Sequence, residues 1–380
     1  MTPQPSSAGN GIIQMHDVVK TFVNTAGEFT ALRGIDLSLH EGEFAAVIGK
    51  SGSGKSTLLN MLTGIDHPTS GQVVVDGEDV HAMSESQRSL WRGRSLGIVF
   101  QFFQLLPMLN LLENVMLPMD YVGMYPIEDR PKKAMQLLDR VGLADEAQKL
   151  PRAVSRGQQQ GAAVARALAT DAPILVADEP TGNLDSRSAQ QIIDLFDELS
   201  QSGKTIVIVT HDPSMTERTN RTIFISDGEL VNETIAQALP LLTHPLMKEL
   251  GRRVTSCEFH PGQEIIEHKT PVDYFYMIQK GKVNVVLQGR RRDDLVISTL
   301  EKNDFFGEIE LLQGKKSIAS VRASEDGPVE LLALSRDDFQ WLIEESPLTE
   351  KAIGQTVQKR LEQRKQADRR KGGRRLFRKG

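Results

Sequence analysis

Gly49-Lys50-Ser51-Gly52-Ser53-Gly54-Lys55-Ser56-Thr57 is the stretch that decides the fold. It fits the phosphate-binding pattern G-x-x-x-x-G-K-[ST]. Residues 43–48 form an apolar run before it and read as a buried strand, and residues 58–62 after it read as a helix. Strand, glycine loop and helix are the context that the pattern requires. The glycines let the backbone curl so that successive N–H groups face an anion, and the helix N-terminus adds its partial positive charge. Lys55 would reach the terminal phosphates, and the Ser56 hydroxyl would hold Mg²⁺. The bland alternative is a glycine-rich surface turn, which leaves the flanking strand and helix unexplained.

Working outward, two further apolar runs end in groups that suit the same chemistry. Residues 174–177 lead into Asp178-Glu179, as a central parallel strand ending in two carboxylates. Open α/β sheets bind ligands at that end. Asp178 suits a water-mediated Mg²⁺ ligand, and Glu179 suits a base that orients an attacking water. Alone the pair would read as a solvated strand end. Residues 205–209 form another buried strand, followed by Thr210-His211-Asp212. His211 could contact a γ-phosphate, or simply cap a turn.

Weaker signals surround these. Strands are expected at 12–22, 30–39, 72–75 and 97–100, with Asp76-Gly77-Glu78 as a hairpin turn. Phe22 could stack on a nucleotide base or sit in the core. Gln101 ends a strand and can offer its carbonyl to a metal-bound water. Residues 111–142 are helical in pattern. Ser155-Arg156-Gly157-Gln158 leads into an alanine-rich helix at 162–168, with Ser155 as a plain helix cap. Residues 186–199 read as an amphipathic helix. The α/β pattern stops after the turn Ser226-Asp227-Gly228.

At 380 residues the chain has room for two or three domains. Its single cysteine, Cys257, excludes an internal disulfide and has no metal-ligand spacing around it. No secretory signal is visible at the start. The greasiest region, 96–117, is interrupted by Gln101, Gln104, Pro107, Asn110 and Glu113, so it is no membrane span. Net charge is −5, but residues 359–380 hold eleven basic and two acidic residues, which leaves the other 358 at −14. That basic end reads either as a solvated tail or as a contact for anionic lipid, with Leu376 and Phe377 inserting. Nucleic acid is a poor fit, because only the tail is basic.

Residues 12–232 closely resemble the ATP-binding subunit of ABC transporters. The Walker A loop is 49–57, the Q-loop residue Gln101, and the signature Val154-Ser155-Arg156-Gly157-Gln158. The Walker B end is Asp178-Glu179, the D-loop Asn183-Leu184-Asp185, and the switch histidine His211. The resemblance makes Phe22 the base-stacking aromatic. Phe102-Phe103-Gln104-Leu105-Leu106-Pro107 and Ala177-Asp178-Glu179-Pro180-Thr181-Gly182-Asn183-Leu184-Asp185 look like the subgroup that serves lipoprotein release, macrolide-type export and cell-division signalling.

The resemblance implies an ATP- and Mg²⁺-dependent ATPase with an α/β P-loop domain and a helical subdomain. It implies a head-to-tail homodimer that sandwiches two ATP and drives a separate integral-membrane permease from the cytoplasmic face of the plasma membrane, as a peripheral protein. Ser155 and the Gly157 amide would then reach the γ-phosphate held by the other subunit. Two positions depart from the pattern. Arg156 replaces the first signature glycine, and Gly161 replaces the arginine after the glutamine run. They predict slow hydrolysis, and they motivate a rival reading as a non-transport nucleotide switch whose output is the C-terminal region.

From about residue 237 the pattern changes. Residues 238–250 read as one short helix broken by Pro240 and Pro245. Short alternating strands with glycine turns follow over 254–334, as in a small sandwich or barrel. Ser335 with Asp338 marks a helix start, and one more helix is expected at 346–366. Residues 237–346 resemble a cyclic-nucleotide-binding domain of jelly-roll type. The residues that carry this are Pro261-Gly262-Gln263-Glu264-Ile265-Ile266, Tyr274 to Gly281, and Phe305-Phe306-Gly307-Glu308. The resemblance makes Glu308 the ribose ligand. It also places a phosphate-pairing arginine at position 317, where this sequence has Ser317. Loss of that cation argues against a cyclic nucleotide and for a fold retained for dimerisation or partner contact. Lys315 and Lys316 are poor geometric substitutes. The expected layout is a disordered 1–11, an ATP-binding domain at 12–232, a cyclic-nucleotide-binding-like domain at 237–346, and a helix with a basic tail at 347–380.

Overall fold

A computed structural model describes residues 11–25, 27–182, 184–210, 212–287 and 295–376, with side chains as far as residue 362 at the C-terminal end. The chain divides into two compact units, Met1–Leu230 and Val231–Gly380.

The first unit opens with two long strands, β1 (Ile13–Asn24) and β2 (Gly27–Leu39). They pair antiparallel, with register shifts between Met15 and Thr21 that bend β1. After β3 (Phe44–Ile48) and α1 (Lys55–Leu62) come β4 (Ser70–Val75) and β5 (Glu78–Asp79). The loop between β4 and β5 is Asp76-Gly77, both at positive φ (54° and 78°). That is the type I′ geometry which Asp-Gly favours, because it matches the strand twist. These strands form a four-stranded sheet in the order β2-β1-β4-β5.

The phosphate loop belongs to a second sheet. It is built from β3, β6 (Leu96–Val99), β7 (Ile174–Asp178), β8 (Thr205–Val209), β9 (Arg221–Ser226) and β10 (Glu229–Val231), in the order β10-β9-β3-β8-β7-β6. The pairs β9-β3, β3-β8, β8-β7 and β7-β6 are parallel. Every residue of β8 is buried, as the unbroken apolar run required. One side chain set, including Val47, Val176 and Val207, packs with Leu58 and Met61 of α1. The opposite set, including Phe44, Ala46 and Ile208, packs with Ile192, Ile193 and Phe196 of a helix at Ser186–Gln201. Alternation along each strand thus fills both faces.

The helices between β4 and β8, after α1, are α2 (Glu85–Ser95), α3 (Leu111–Val122), α4 (Arg130–Arg140), α5 (Arg156–Ala167) and α6 (Ser186–Gln201). The helical pattern over 111–142 is in fact two helices. Gly123 caps α3 in the left-handed conformation (φ 67°), and Pro126 cannot continue it. Both halves bury apolar residues into one cluster with α5, which the periodicity could not distinguish from a single long face. Helix α5 starts earlier than expected, at Arg156. Ser155 and Gln158 form a reciprocal capping box that supports this non-alanine first turn. A short α7 spans Pro213–Thr216.

In the second unit, the helix expected at 238–250 is realised only in its second half, as α9 (His244–Arg253), and another helix, α8 (Glu233–Ala238), precedes it. Asn232 caps α8 through Thr234 and Ile235 N–H groups, and Pro245 sits in the first turn of α9. There proline lacks only an N–H that would be unpaired anyway, so it starts a helix where a mid-helix proline would break one. Eight strands follow: β11 (Thr255–Phe259), β12 (Glu264–Ile266), β13 (Tyr274–Lys280), β14 (Val283–Leu287), β15 (Leu295–Leu300), β16 (Phe305–Phe306), β17 (Ser320–Ala323) and β18 (Val329–Ser335). They form two four-stranded sheets, β11-β18-β13-β16 and β12-β17-β14-β15. Ile278, Leu331, Val283 and Val321 from both sheets meet in one core. Helix α10 (Glu308–Gln313) interrupts the strands, and α11 (Arg336–Glu345) and α12 (Pro347–Leu376) end the described chain. The Ser335 hydroxyl accepts from the Asp338 N–H and caps α11 as expected. Helix α12 runs farther than residue 366. No helix among the described residues is long and apolar enough to cross a membrane.

Candidate nucleotide site at the carboxyl edge of the parallel sheet

The loop between β3 and α1 needs glycine for two separate reasons. A Cβ on Gly49 would lie 2.2 Å from the carbonyl oxygen of Ile225. Gly54 stands at φ +107°, and a Cβ there would lie 2.7 Å from the Ala31 carbonyl oxygen. Either contact is closer than any side chain tolerates, so the loop closes against β9 and β2 only with glycine. Gly54 then begins α1, leaving its first N–H groups open to the cleft.

Lys55 is buried and folds back along the loop. Its Nζ donates to the carbonyls of Gly49 (2.8 Å) and Lys50 (3.0 Å). Burial pushes the ammonium pKa down, and the charges of Glu179 and Asp178 oppose that. The Ser56 hydroxyl donates to Asp178 Oδ2 at 3.0 Å. Two oxygen donors from distant stretches therefore meet at one point, the arrangement a hard cation such as Mg²⁺ takes when it also keeps waters and phosphate oxygens.

Glu179 follows the last residue of β7 with φ +48°. A left-handed conformation is uncommon for a residue with a Cβ. It is held by the Glu179 N–H donating to the Val209 carbonyl (2.8 Å) and by the Gly182 N–H donating to the Glu179 carbonyl. This kink turns the chain out of the strand and puts the carboxylate over the loop.

Ser51, Gly52, Gly54, Lys55, Ser56 and Thr57 line one open cleft of about 330 Å³ with Gln101, Asp178, Glu179 and Phe22. That volume falls within the range of small-molecule sites. Phe22 is 40% exposed, so the core alternative for it fails. It pairs across the strands with Phe29, which also lines the cleft. Sequence reading missed Phe29. Its position opposite Phe22 depends on the hairpin register, and only the alternation of β2 hinted at it.

Other candidates lie elsewhere. Gly49, Lys50 and Ser53 shape the loop from behind; the buried Ser53 carbonyl accepts from the Gly228 N–H. Ser155, Gly157 and Gln158 form the first turn of α5 and do not line the cleft. Asp185 caps α6, accepting from the Arg187 and Ser188 N–H groups and the Ser188 hydroxyl, which hold its carboxyl below the usual range. A Cβ on Gly157 would stand 3.1 Å from the Ser188 hydroxyl, so signature and D-loop are neighbours within one chain. Gly161 faces Leu143 and Val141 inside the α3–α4–α5 cluster, away from the cleft. An arginine there would need those side chains to move. His211 and Asn183 lie outside the described residues, as do residues 1–10, the turn at Gly289 and the side chains from residue 363 on, Leu376 and Phe377 among them.

Arg166, on α5, was not singled out by sequence reading. Its guanidinium donates to the carbonyls of Phe103 (2.8 Å) and Gln104 (2.5 Å). Gln104 sits at φ +51°. One cation on the signature helix thus pins the loop that follows Gln101. Arg166→Ala should slow hydrolysis by ~10-fold with little change in ATP affinity, since hydrogen bonds from a charged group contribute about 1.5–3 kcal/mol. Partial recovery in Arg166→Lys, followed by steady-state rates, checks this.

Comparisons with known proteins agree with this geometry. The ABC transporter family model matches residues 32–182, and the cyclic nucleotide-binding domain model matches 256–346. The chain is 42% identical over 226 residues to the ABC transporter ATP-binding protein YknY of Bacillus subtilis, spanning 60% of this chain and 98% of that one. It is 45% identical to the lipoprotein-releasing system ATP-binding protein LolD of Aquifex aeolicus, over 54% of this chain and 91% of LolD. A dimeric ATP-binding cassette, MJ0796, solved in a post-hydrolysis state with ADP and Pi, superposes with a TM-score of 0.56 at 39% identity, covering 57% of this chain and 96% of the cassette. The chain belongs to the ATP-binding subunits of ABC transporters. It is an ATP-binding ATPase of that class, carrying a second, cyclic-nucleotide-binding-type domain.

Proposed function

We propose that this chain powers a membrane permease carried on a separate polypeptide, by ATP-dependent closure of a homodimer at the cytoplasmic face of the membrane. The observation that carries this is a cleft complete on one side and open on the other. Lys55, Ser56, Asp178, Glu179 and Gln101 share it, while Ser155 and Gly157 stand apart on α5. A second copy would bring its own α5 to cover the γ-phosphate, and Ser155 and Arg156 are exposed at the start of that helix.

Within the cleft, Phe22 and Phe29 stack on the base. The loop amides and Lys55 would hold the phosphates, and Ser56 and Asp178 would hold Mg²⁺, which would neutralise phosphate charge there. Glu179 would orient the attacking water and Gln101 would offer its carbonyl to the metal site, and His211, outside the described residues, is the residue proposed for the γ-phosphate. Transfer of this group is mostly positioning and charge neutralisation, so assembly of the dimer gates it.

The segment after Gln101 supports the permease. Phe102 is 75% exposed and Met108 is 89% exposed, with Tyr121 on α3 also open. Exposed large apolar residues in one region mark an interaction surface. Being tied to Gln101 in sequence, they would carry movement between the nucleotide and a bound partner.

Tagged full-length protein, isolated from detergent-solubilised membranes, is expected to retain a multi-span protein. Met108→Glu should reduce that recovery by ~10-fold, the effect of burying an unpaired charge in an apolar contact, while ATP binding stays normal. A soluble complex with no multi-span protein would instead support the non-transport switch.

A further inference from the structure

The second unit holds a cavity of about 80 Å³ between sheet β12-β17-β14-β15 and α10. Its wall is mostly aliphatic: Ile266, Val285, Ile297, Leu300, Ile309 and Val321. Its charged groups are two buried carboxylates, Glu308 (1% exposed) and Glu310 (7% exposed), and one guanidinium, Arg360, with the Ser298 hydroxyl also in the lining.

Each charged group at this cavity already has a partner from the same chain, and so does the neighbouring Ser317. Arg360 Nη1 donates to Glu308 Oε1 (2.7 Å) and to the Phe305 carbonyl (2.7 Å), and its guanidinium lies 5.1 Å from the Phe305 ring centroid. Glu310 Oε1 accepts from the Ile318 N–H at 3.2 Å. The Ser317 hydroxyl donates to the Ala319 carbonyl. The Ser317 N–H donates to the Thr270 carbonyl, and the Lys269 N–H donates to the Ser317 carbonyl. Lys315 and Lys316 are exposed and do not line the cavity.

Arg360 comes from α12. Ile353 and Val357 of that helix are buried, so residues 353, 357 and 360 share one face at helical spacing. Helix α12 packs on α10, α11 and β15.

We infer that the cavity of the second domain is an intramolecular receptor whose ligand is the Arg360 guanidinium of α12, and that it does not take a cyclic nucleotide. Charge supports this. Two carboxylates face the one guanidinium, which is already bonded to Glu308, so no further cation among the described residues lines the cavity to meet a phosphodiester. Size supports it too, because small-molecule sites usually enclose at least ~300 Å³. Glu310 spends the Ile318 amide on its own carboxylate, so an entering anion would find that donor taken. The position of α12 is therefore set by the Glu308–Arg360 bridge and not by an added nucleotide. This inference is independent of the ATP site.

Three measurements on the full-length protein test it. Calorimetric titration with cyclic AMP and cyclic GMP to millimolar concentration should show no binding; micromolar binding of either would overturn the inference. Arg360→Leu leaves the Glu308 charge buried without its partner, which is far costlier than removing both. Amide exchange over residues 347–362 should then quicken at least ~10-fold, and unchanged exchange would overturn the inference. The double variant Glu308→Leu/Arg360→Leu replaces the bridge with apolar groups in an aliphatic cavity. Its exchange should return to within about 3-fold of the parent. Exchange as fast as in the single variant would count against the bridge as the determinant.

Discussion

Glu179→Gln is expected to slow ATP hydrolysis by about 10²–10⁴-fold, the usual contribution of a positioned base, and to leave ATP bound. The substitution keeps the shape of the side chain and an acceptor oxygen but removes the charge that draws a proton from water. The phosphate contacts of Lys55 and the loop amides are untouched, so affinity should change little. With hydrolysis blocked, the closed dimer should accumulate in the presence of ATP and Mg²⁺. Sedimentation analysis with and without ATP would show it as a shift from monomer to dimer. A variant that hydrolyses ATP at the parental rate would remove Glu179 from the mechanism. The kinked backbone at Glu179, held by β8, favours this residue over Asp178 for the role. Asp178 is already committed to the Ser56 hydroxyl.

Lys55→Ala should weaken ATP binding by ~100-fold or more and abolish measurable hydrolysis. A charged donor to a phosphate contributes about 1.5–3 kcal/mol per hydrogen bond, and 1.4 kcal/mol corresponds to tenfold in affinity. A second effect adds to this. The ammonium ties the carbonyls of Gly49 and Lys50 together. Its removal leaves those carbonyls without that donor and loosens the loop that presents the amides. Lys55→Arg should not restore binding, since the planar guanidinium cannot occupy the same narrow place. Fluorescent nucleotide titration separates the cases. Affinity within twofold of the parent would remove Lys55 from phosphate binding.

Much of the first unit was legible because its signals are local. The loop 49–57 carries its own geometry in its glycines, and the apolar runs at 174–177 and 205–209 are too continuous for a half-exposed strand. The Asp76-Gly77 and Asp227-Gly228 turns announce themselves through residues that tolerate positive φ. The break between α3 and α4 was harder to see. Both helices present their apolar faces to α5, so the periodicity runs on across Gly123. Phe29 and Arg166 were missed for a related reason. Neither stands within a motif, and each acts through a register or a contact with a stretch far away in the chain.

The second unit shows the same division more sharply. Glycine turns and short alternating strands announced a small sandwich, and Ser317 stood out as a missing cation. Nothing near Glu308 or Glu310 in sequence names their partners. Arg360 lies 52 residues beyond Glu308, on a helix whose composition suggests only a basic tail. A residue's own chemistry, and the conformations its neighbours permit, travel with the chain and can be read along it. Which charges share a cavity depends on how separate elements pack. The pairing of Ser56 with Asp178, of Arg166 with the loop after Gln101, and of Arg360 with Glu308 was therefore decided only in three dimensions.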